Sequence, residues 1–424
     1  MRVSLVTFEK PAFFWAGIVF LRSILDVSYV LLVNPNFEYS GFGLELNILK
    51  YIESMLMLFF FGCITPQLLQ KPSDYLLFTF YFGFILPIGS YYSLNDQSRL
   101  DFYLILMCCV LVYLFSKGRR FKVPSVRHGQ VLAGLLCLLF GSLTTFWLIS
   151  TSGLRYFNLD FNLVYDYRRL IGETSYVGFM AYAIPWTTNV IGPASLGYAL
   201  YRRQYWMVLI IFGLHVVWFG FSSHKSVLFY PFLIVTLWGW FQRTRAFSPV
   251  TIGVSFILLL SLADYLIRGN IFYGSLLTRR VFFVVAKNTF DYFEFFTVNS
   301  KVFWSNSFLS WFLDYPYHIT PARLIGESRG TESHVNNSFV STGYMHAGVY
   351  GLIFYGVVAG ILFRIIDSLS KNYIQTLLVL SAILVPSRAL LLSADLPTSL
   401  LTHGIGLALI IGLLMCGSLP AKNQ

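Results

Sequence analysis

The chain has 424 residues, 56% hydrophobic and 12% charged, with a formal net charge of +11. A mean hydropathy of +0.67, carried by repeated apolar runs of about 20 residues, excludes an ordinary soluble domain. Such runs must be helices, because a helix satisfies each backbone group within its own segment.

Twelve or so spans are predicted in chain order: 12–33, 46–66, 75–95, 99–116, 130–150, 176–200, 204–222, 225–242, 248–267, 343–366, 373–393 and 396–416. The first lacks a small-residue cleavage site and is expected to stay as an anchor. The fold class is thus an all-α polytopic membrane protein. Residues 1–267 carry nine spans and a smaller outer loop at 151–175, residues 268–342 form a large outer loop, and 343–424 carry the last three spans. Cys63, Cys108, Cys109, Cys137 and Cys416 fall inside apolar runs, where cysteine acts as a small hydrophobe; no disulfide frame, metal site or cofactor is expected.

Short-loop Lys and Arg set the sidedness. With the N-terminus cytoplasmic, the inside segments hold Arg2 and Lys10, Lys71, the run 117-KGRRFKVPSVR-127, Arg202 and Arg203, Arg243 and Arg245, Arg364 and Lys371, and Lys422. The short outside loops are neutral or acidic, as in 34-NPNFEYSGFGLE-45. Both termini then lie inside. This pattern accounts for the positive surplus without nucleic acid.

Two outer segments break the trend. One carries Arg155, Arg168 and Arg169; the other carries Arg268, Arg279, Arg280, Lys287, Lys301, Arg323 and Arg329. Cations facing outward beside a membrane suit an anionic head group or a phosphate. Lys225 adds a charge in the outer turn 222-SSHKS-226. Within 281–313, Trp304, Phe308, Trp311 and Phe312 recur at helical spacing, which predicts one or two helices lying in the interface or dipping in and returning. The following stretch, 314–342, is polar and irregular. Arg22 and Asp26, at i and i+4 in the first span, are expected to pair.

No G-x-x-x-x-G-K-[ST], H-E-x-x-H or D-x-D occurs, which argues against an ATPase, a zinc peptidase and a metal-bound sugar-nucleotide transferase. Chemistry on a donor carried in the membrane remains, such as a lipid-linked sugar diphosphate. Cations would hold its diphosphate and apolar grooves its tail.

The run 336-NNSFVSTGYMHAGVYGLIFYGVVAG-360 resembles the loop-to-helix junction of the O-antigen polymerase (Wzy) and O-antigen ligase (WaaL) superfamily, with Gly348 and Gly351 as its G-x-x-G. The segment 222-SSHKSVLFYPFLIV-235 resembles another junction of that superfamily. Ligases usually place a histidine eleven residues before the first glycine; Asn337 stands there, with His334 three residues earlier, and Lys225 replaces the common arginine. These departures favour the polymerase branch.

The resemblance implies an inverting, metal-independent glycosyltransferase of lipopolysaccharide biosynthesis in the bacterial inner membrane. Its substrates are undecaprenyl-diphosphate-linked oligosaccharides, and its partners a chain-length regulator and a flippase. Candidate diphosphate ligands are Arg268, Arg279, Arg280, Arg323, Arg329, Lys225, Arg168 and Arg169; candidate bases are Glu327 and His334. A transporter is the rival from another class, since Asp264, Arg388 and Asp395 lie in or beside apolar runs. A flippase would want its cations among the spans, and a ligase differs in acceptor.

Overall fold

A computed structural model describes residues 8–152 and 156–417, apart from the side chains of Ser152, Tyr165, Arg169 and Gly417. Arg2, Arg155 and Lys422 lie outside the described residues. Among the described residues the elements are helical, and two isolated bridges, Glu45 with Asn95 and Leu68 with Ala246, join extended residues.

The helices, renumbered in chain order, are α1 Pro11–Ser40, α2 Ile48–Ile64, α3 Pro72–Leu94, α4 Arg99–Ser116, α5 Gly129–Ser152 and α6 Val164–Ser175. Then come α7 (Met180–Trp186, Thr187–Ile191 and Gly192–Tyr201 in succession), α8 Tyr205–Ser222, α9 Lys225–Phe241, α10 Ser248–Arg268 and α11 (Gly274–Phe283 continued by Val284–Val298). The last are α12 Pro321–Ser328, α13 Phe339–Ser368, α14 Tyr373–Leu392 and α15 Leu396–Cys416. Among the described residues, nine helices are long and apolar enough to cross a membrane: α1, α3, α4, α5, α8, α10, α13, α14 and α15. The chain is an all-α, multi-pass membrane protein.

Four helices contain wide π turns, α1, α3, α7 and the start of α11, and in the first three the cause is the same. Proline has no N–H to give the carbonyl four residues back. The residue before Pro35, Pro87 and Pro193 instead bonds five residues back: Asn34 to Tyr29, Leu86 to Tyr81 and Gly192 to Thr187. The helix widens for one turn and continues.

Contacts between loops sort the chain into two ends. At one, Glu9 accepts from Thr244 and Arg245, Lys71 pairs with Asp367 at 2.7 Å, Arg120 donates to the Ser370 carbonyl, and Tyr373 donates to the Phe241 carbonyl. At the other, Lys50 pairs with Asp96, Tyr91 donates to the Gly41 carbonyl, and Tyr292 of α11 donates to the Val335 carbonyl in the segment after α12. The segments that alternate in the sequence reading therefore alternate in space. The expected Arg22–Asp26 pair forms, Nε to Oδ2 at 2.7 Å, with Tyr51, Ser54 and Ser93 also bound to it.

α13 breaks at Ala347 and Gly348, where Gly348 has φ +57. Only glycine adopts this backbone without strain. The break lets residues 339–346 fold against the helix that follows, so closely that a Cβ on Gly351 would lie 1.9 Å from the Gly343 carbonyl oxygen. Further along, Gly356 and Gly360 bring α13 onto the backbone of α4.

The predicted helix across Trp304, Phe308, Trp311 and Phe312 does not form. Residues 303–312 are successive turns, with Phe303 and Trp304 at positive φ. Backbone bonds from Val302 to Met345 and from Phe303 to His346 tie the segment to the break in α13, a pull stronger than local helical spacing. The helix predicted upstream is α11, and its Phe290, Tyr292, Phe293 and Phe296 are buried in the bundle.

Gly351→Ala should lower thermal stability by about 1–3 kcal/mol through overpacking. Gly253→Ala, where nothing lies within 4 Å, should leave it unchanged. Fluorescence-detected size-exclusion melting of the two variants checks this.

Candidate functional site

A phosphate needs cations whose charge is not already answered by a carboxylate. Arg268 pairs with Asp264 at 3.3 Å, Arg323 with Glu327 at 2.9 Å, and Arg329 with Asp291 and Glu294. Lys287 shares Asp291 at 2.6 Å. Among the described residues, Arg279, Arg280 and Lys301 have no carboxylate within ion-pair distance in the large loop. Arg279 stacks over Phe37 at 4.2 Å, and its partial burial lowers its pKa. Arg280 is exposed. Lys301 lies over the Tyr344 ring at 4.0 Å, its pKa also lowered by burial. Arg279 and Lys301 sit at opposite ends of α11, roughly 25 Å apart along its axis. One diphosphate cannot touch both. Of the candidate bases, Glu327 is held by Arg323, and His334 is exposed.

A different pair of cations lies at one turn, between α8 and α9. The segment after α5 wraps the turn between α8 and α9: Phe157 packs on Phe221, Asn158 donates to the Gly220 carbonyl, and Phe161 lies against Phe219. This places Lys225 over the Phe161 ring at 5.5 Å and lets Arg168, on α6, donate to the Ser223 carbonyl at 3.2 Å. The side chain of Arg169 lies outside the described residues. His224 directly precedes Lys225 and lies near enough to Arg168 to feel its charge. Burial, helped by the positive charge of Arg168, pushes its pKa down to about 4.

Below this turn opens a groove of about 540 Å³ between α5, α7 and α8. Small residues hollow it out, among them Gly134, Gly141, Gly192 and Ala194. Nothing lies within 4 Å of where a Cβ on Gly134 or Gly141 would stand. The groove runs along α8 from Met207 to Trp218, about 16 Å at 1.5 Å per residue. Trp218 is then one turn from Ser222 and the cationic turn, and its Nε1 donates to Thr145. An apolar slot of chain width leading to fixed positive charge is complementary to an amphiphile with an anionic head.

A second node lies at the break in α13. His346 Nδ1 accepts from the Trp304 backbone N–H at 3.0 Å, so the ring proton resides on Nε2 and is donated to Asp395 Oδ2 at 3.0 Å. Asp395 Oδ1 accepts from the Tyr355 hydroxyl at 2.9 Å and the Leu396 N–H; Trp304 Nε1 donates to the same hydroxyl at 2.7 Å. Burial would raise the Asp395 pKa, but hydrogen bonds from His346, Thr342 and Tyr355 hold it below the usual range. His346 is fully buried with both nitrogens engaged, so the node fixes geometry rather than transferring protons. The sequence reading passed over it, although His346 directly precedes the broken Ala347–Gly348 and Asp395 stood out as a charge between spans.

No protein-family model matches the chain, and no curated protein or solved structure is significantly similar to it.

The buried His224 gives a signed pH effect. Between pH 6.5 and about 4 the unfolded imidazole binds a proton that the folded one refuses. Stability is therefore full above pH 6.5 and falls as pH drops through this window. The decline in melting temperature should be shallower in His224→Phe than in the parent protein, measured in matched buffers.

Proposed function

We propose that this chain is a polysaccharide repeat-unit polymerase of the bacterial cytoplasmic membrane, transferring a growing glycan from undecaprenyl diphosphate to an incoming lipid-linked repeat unit. The observation that carries this reading is the apolar groove whose end at Trp218 lies one helical turn from Ser222, where the turn held by Arg168 and followed by Lys225 begins. The prenyl tail would lie in the groove and the diphosphate at the turn. In this reading about twelve helices cross the membrane, the nine long ones joined by α2, α7 and α9. Both termini and the basic end face the cytoplasm; Arg168, Lys225 and the large loop face outward.

The reaction forms a bond from an acceptor hydroxyl oxygen to the anomeric carbon and breaks the bond from that carbon to the diphosphate oxygen. Undecaprenyl diphosphate leaves with the electron pair, and the hydroxyl proton passes to a base or to water. Negative charge grows on the leaving oxygens, so cations fixed there stabilise the transition state more than the ground state. Arg168 and Lys225 take that role, with Arg169 beside them in sequence. His334 is the better base of the two candidates, because Arg323 engages Glu327. The arginines of the large loop that carry carboxylate partners, Arg268, Arg323 and Arg329, serve structure.

Deleting the gene in its host should leave single-repeat glycans on a normal lipid core. Lys225→Ala and Arg168→Ala should fail to restore long chains, each lowering the transfer rate by roughly 100-fold, whereas Arg323→Ala should restore them. Full-length glycan stranded on the carrier lipid would identify a ligase instead, and unchanged glycans with a solute-uptake defect a transporter.

A further inference from the structure

The segment from Val302 to Leu313, VFWSNSFLSWFL, carries no charge across twelve residues. Its large side chains point outward: Trp311 is 91% exposed and Phe312 82%, with Phe303, Phe308 and Leu313 also exposed. In water such a patch would be a liability. Its position in the fold supplies a different solvent.

Trp304 anchors the segment at a measurable depth. Its indole stacks on His346 at 4.8 Å, bonds the Tyr355 hydroxyl, and meets the Phe354 ring edge-on at 5.9 Å. Phe354 lies six residues past Gly348, where the long apolar part of α13 starts, so the contact is about 9 Å down that helix. Phe354 itself is 52% exposed, on the outward surface of a helix apolar enough to cross a membrane. Phe308 continues from Trp304 at 6.2 Å. The turn segment thus lies alongside a lipid-facing helix and extends that helix's apolar surface.

Backbone in hydrocarbon must find its partners within the protein. This segment does. Ser305 donates to Val302, Ser307 and Leu309 to Trp304, Ser310 to Ser307, and Phe312 and Leu313 to Leu309. Val302 and Phe303 donate to Met345 and His346. The Ser305 and Ser307 hydroxyls bond backbone carbonyls within the same turns.

We infer that residues 303–313 form a membrane-inserted loop, with Trp311 and Phe312 in the acyl region just below the head groups of the leaflet at that end of the bundle. The partner is the lipid itself. Trp304 and the His346–Asp395–Tyr355 node act as the hinge pin that sets the depth. This inference does not depend on what the protein transfers.

The test places a bimane label at Phe312→Cys, with Glu332→Cys as the water-exposed reference, in a Cys63→Ala, Cys137→Ala background; the remaining cysteines are buried. Both proteins are reconstituted in phosphatidylcholine vesicles. Insertion predicts at least twofold stronger quenching by brominated acyl chains at 312 than at 332, a blue-shifted emission at 312, and iodide quenching confined to 332. Iodide quenching equal at both positions, with no effect of brominated lipid, would overturn the loop. So would protection of 312 from both quenchers, which would mean that protein covers it. A Ser310→Cys label, on the same exposed tip, repeats the measurement without altering an aromatic side chain.

Discussion

Each charge that this chain brings against its apolar bundle must be answered from inside the protein, and the way each is answered sorts the cations by purpose. Arg22 is met by Asp26 and three hydroxyl-bearing neighbours, Lys71 by Asp367, and Lys287 with Arg329 by Asp291. Breaking such a buried pair would leave one ion without compensation, at several kcal/mol. These residues hold helices together. Lys225 and Arg168 are placed differently, one over the Phe161 ring and the other against the Ser223 carbonyl.

The same economy shapes the backbone. Proline-induced π turns, the Gly348 break and the turns after Val302 all place irregular chain where most of its backbone N–H groups still find partners. The break does most to organise the molecule. It seats residues 339–346 in the bundle, draws the outer loop onto His346, and brings Asp395 from another helix pair into the same node.

Some of this was legible before the fold was known. The helices follow from apolar runs, their alternation from loop charge, and the Arg22–Asp26 pair from spacing of four. Gly348 and Gly351 were picked out as a motif, and the fold supplies the physical reason for each: positive φ at one and backbone contact at the other. Other features were not legible. Helical spacing of aromatics from Trp304 to Phe312 suggested a helix, because pattern alone cannot weigh the tertiary bonds to Met345 and His346. The His346–Asp395 contact joins residues 49 apart, and the separation of Arg279 from Lys301 depends on α11 running straight between them. The groove arises from glycines on two helices, α5 and α7, that carry no local signal.

The account stands on a lipid carrier seated in the groove with its phosphates at Arg168 and Lys225. The most direct measurement is photocrosslinking of a diazirine-tailed polyprenyl diphosphate to the purified protein, mapped by mass spectrometry. The account predicts adducts on the groove faces of α5 and α8, competed by undecaprenyl diphosphate, weakened at least tenfold by Lys225→Ala and abolished by Gly134→Phe, which fills the slot. Adducts spread evenly over all lipid-facing helices, or unchanged by both substitutions, would contradict it.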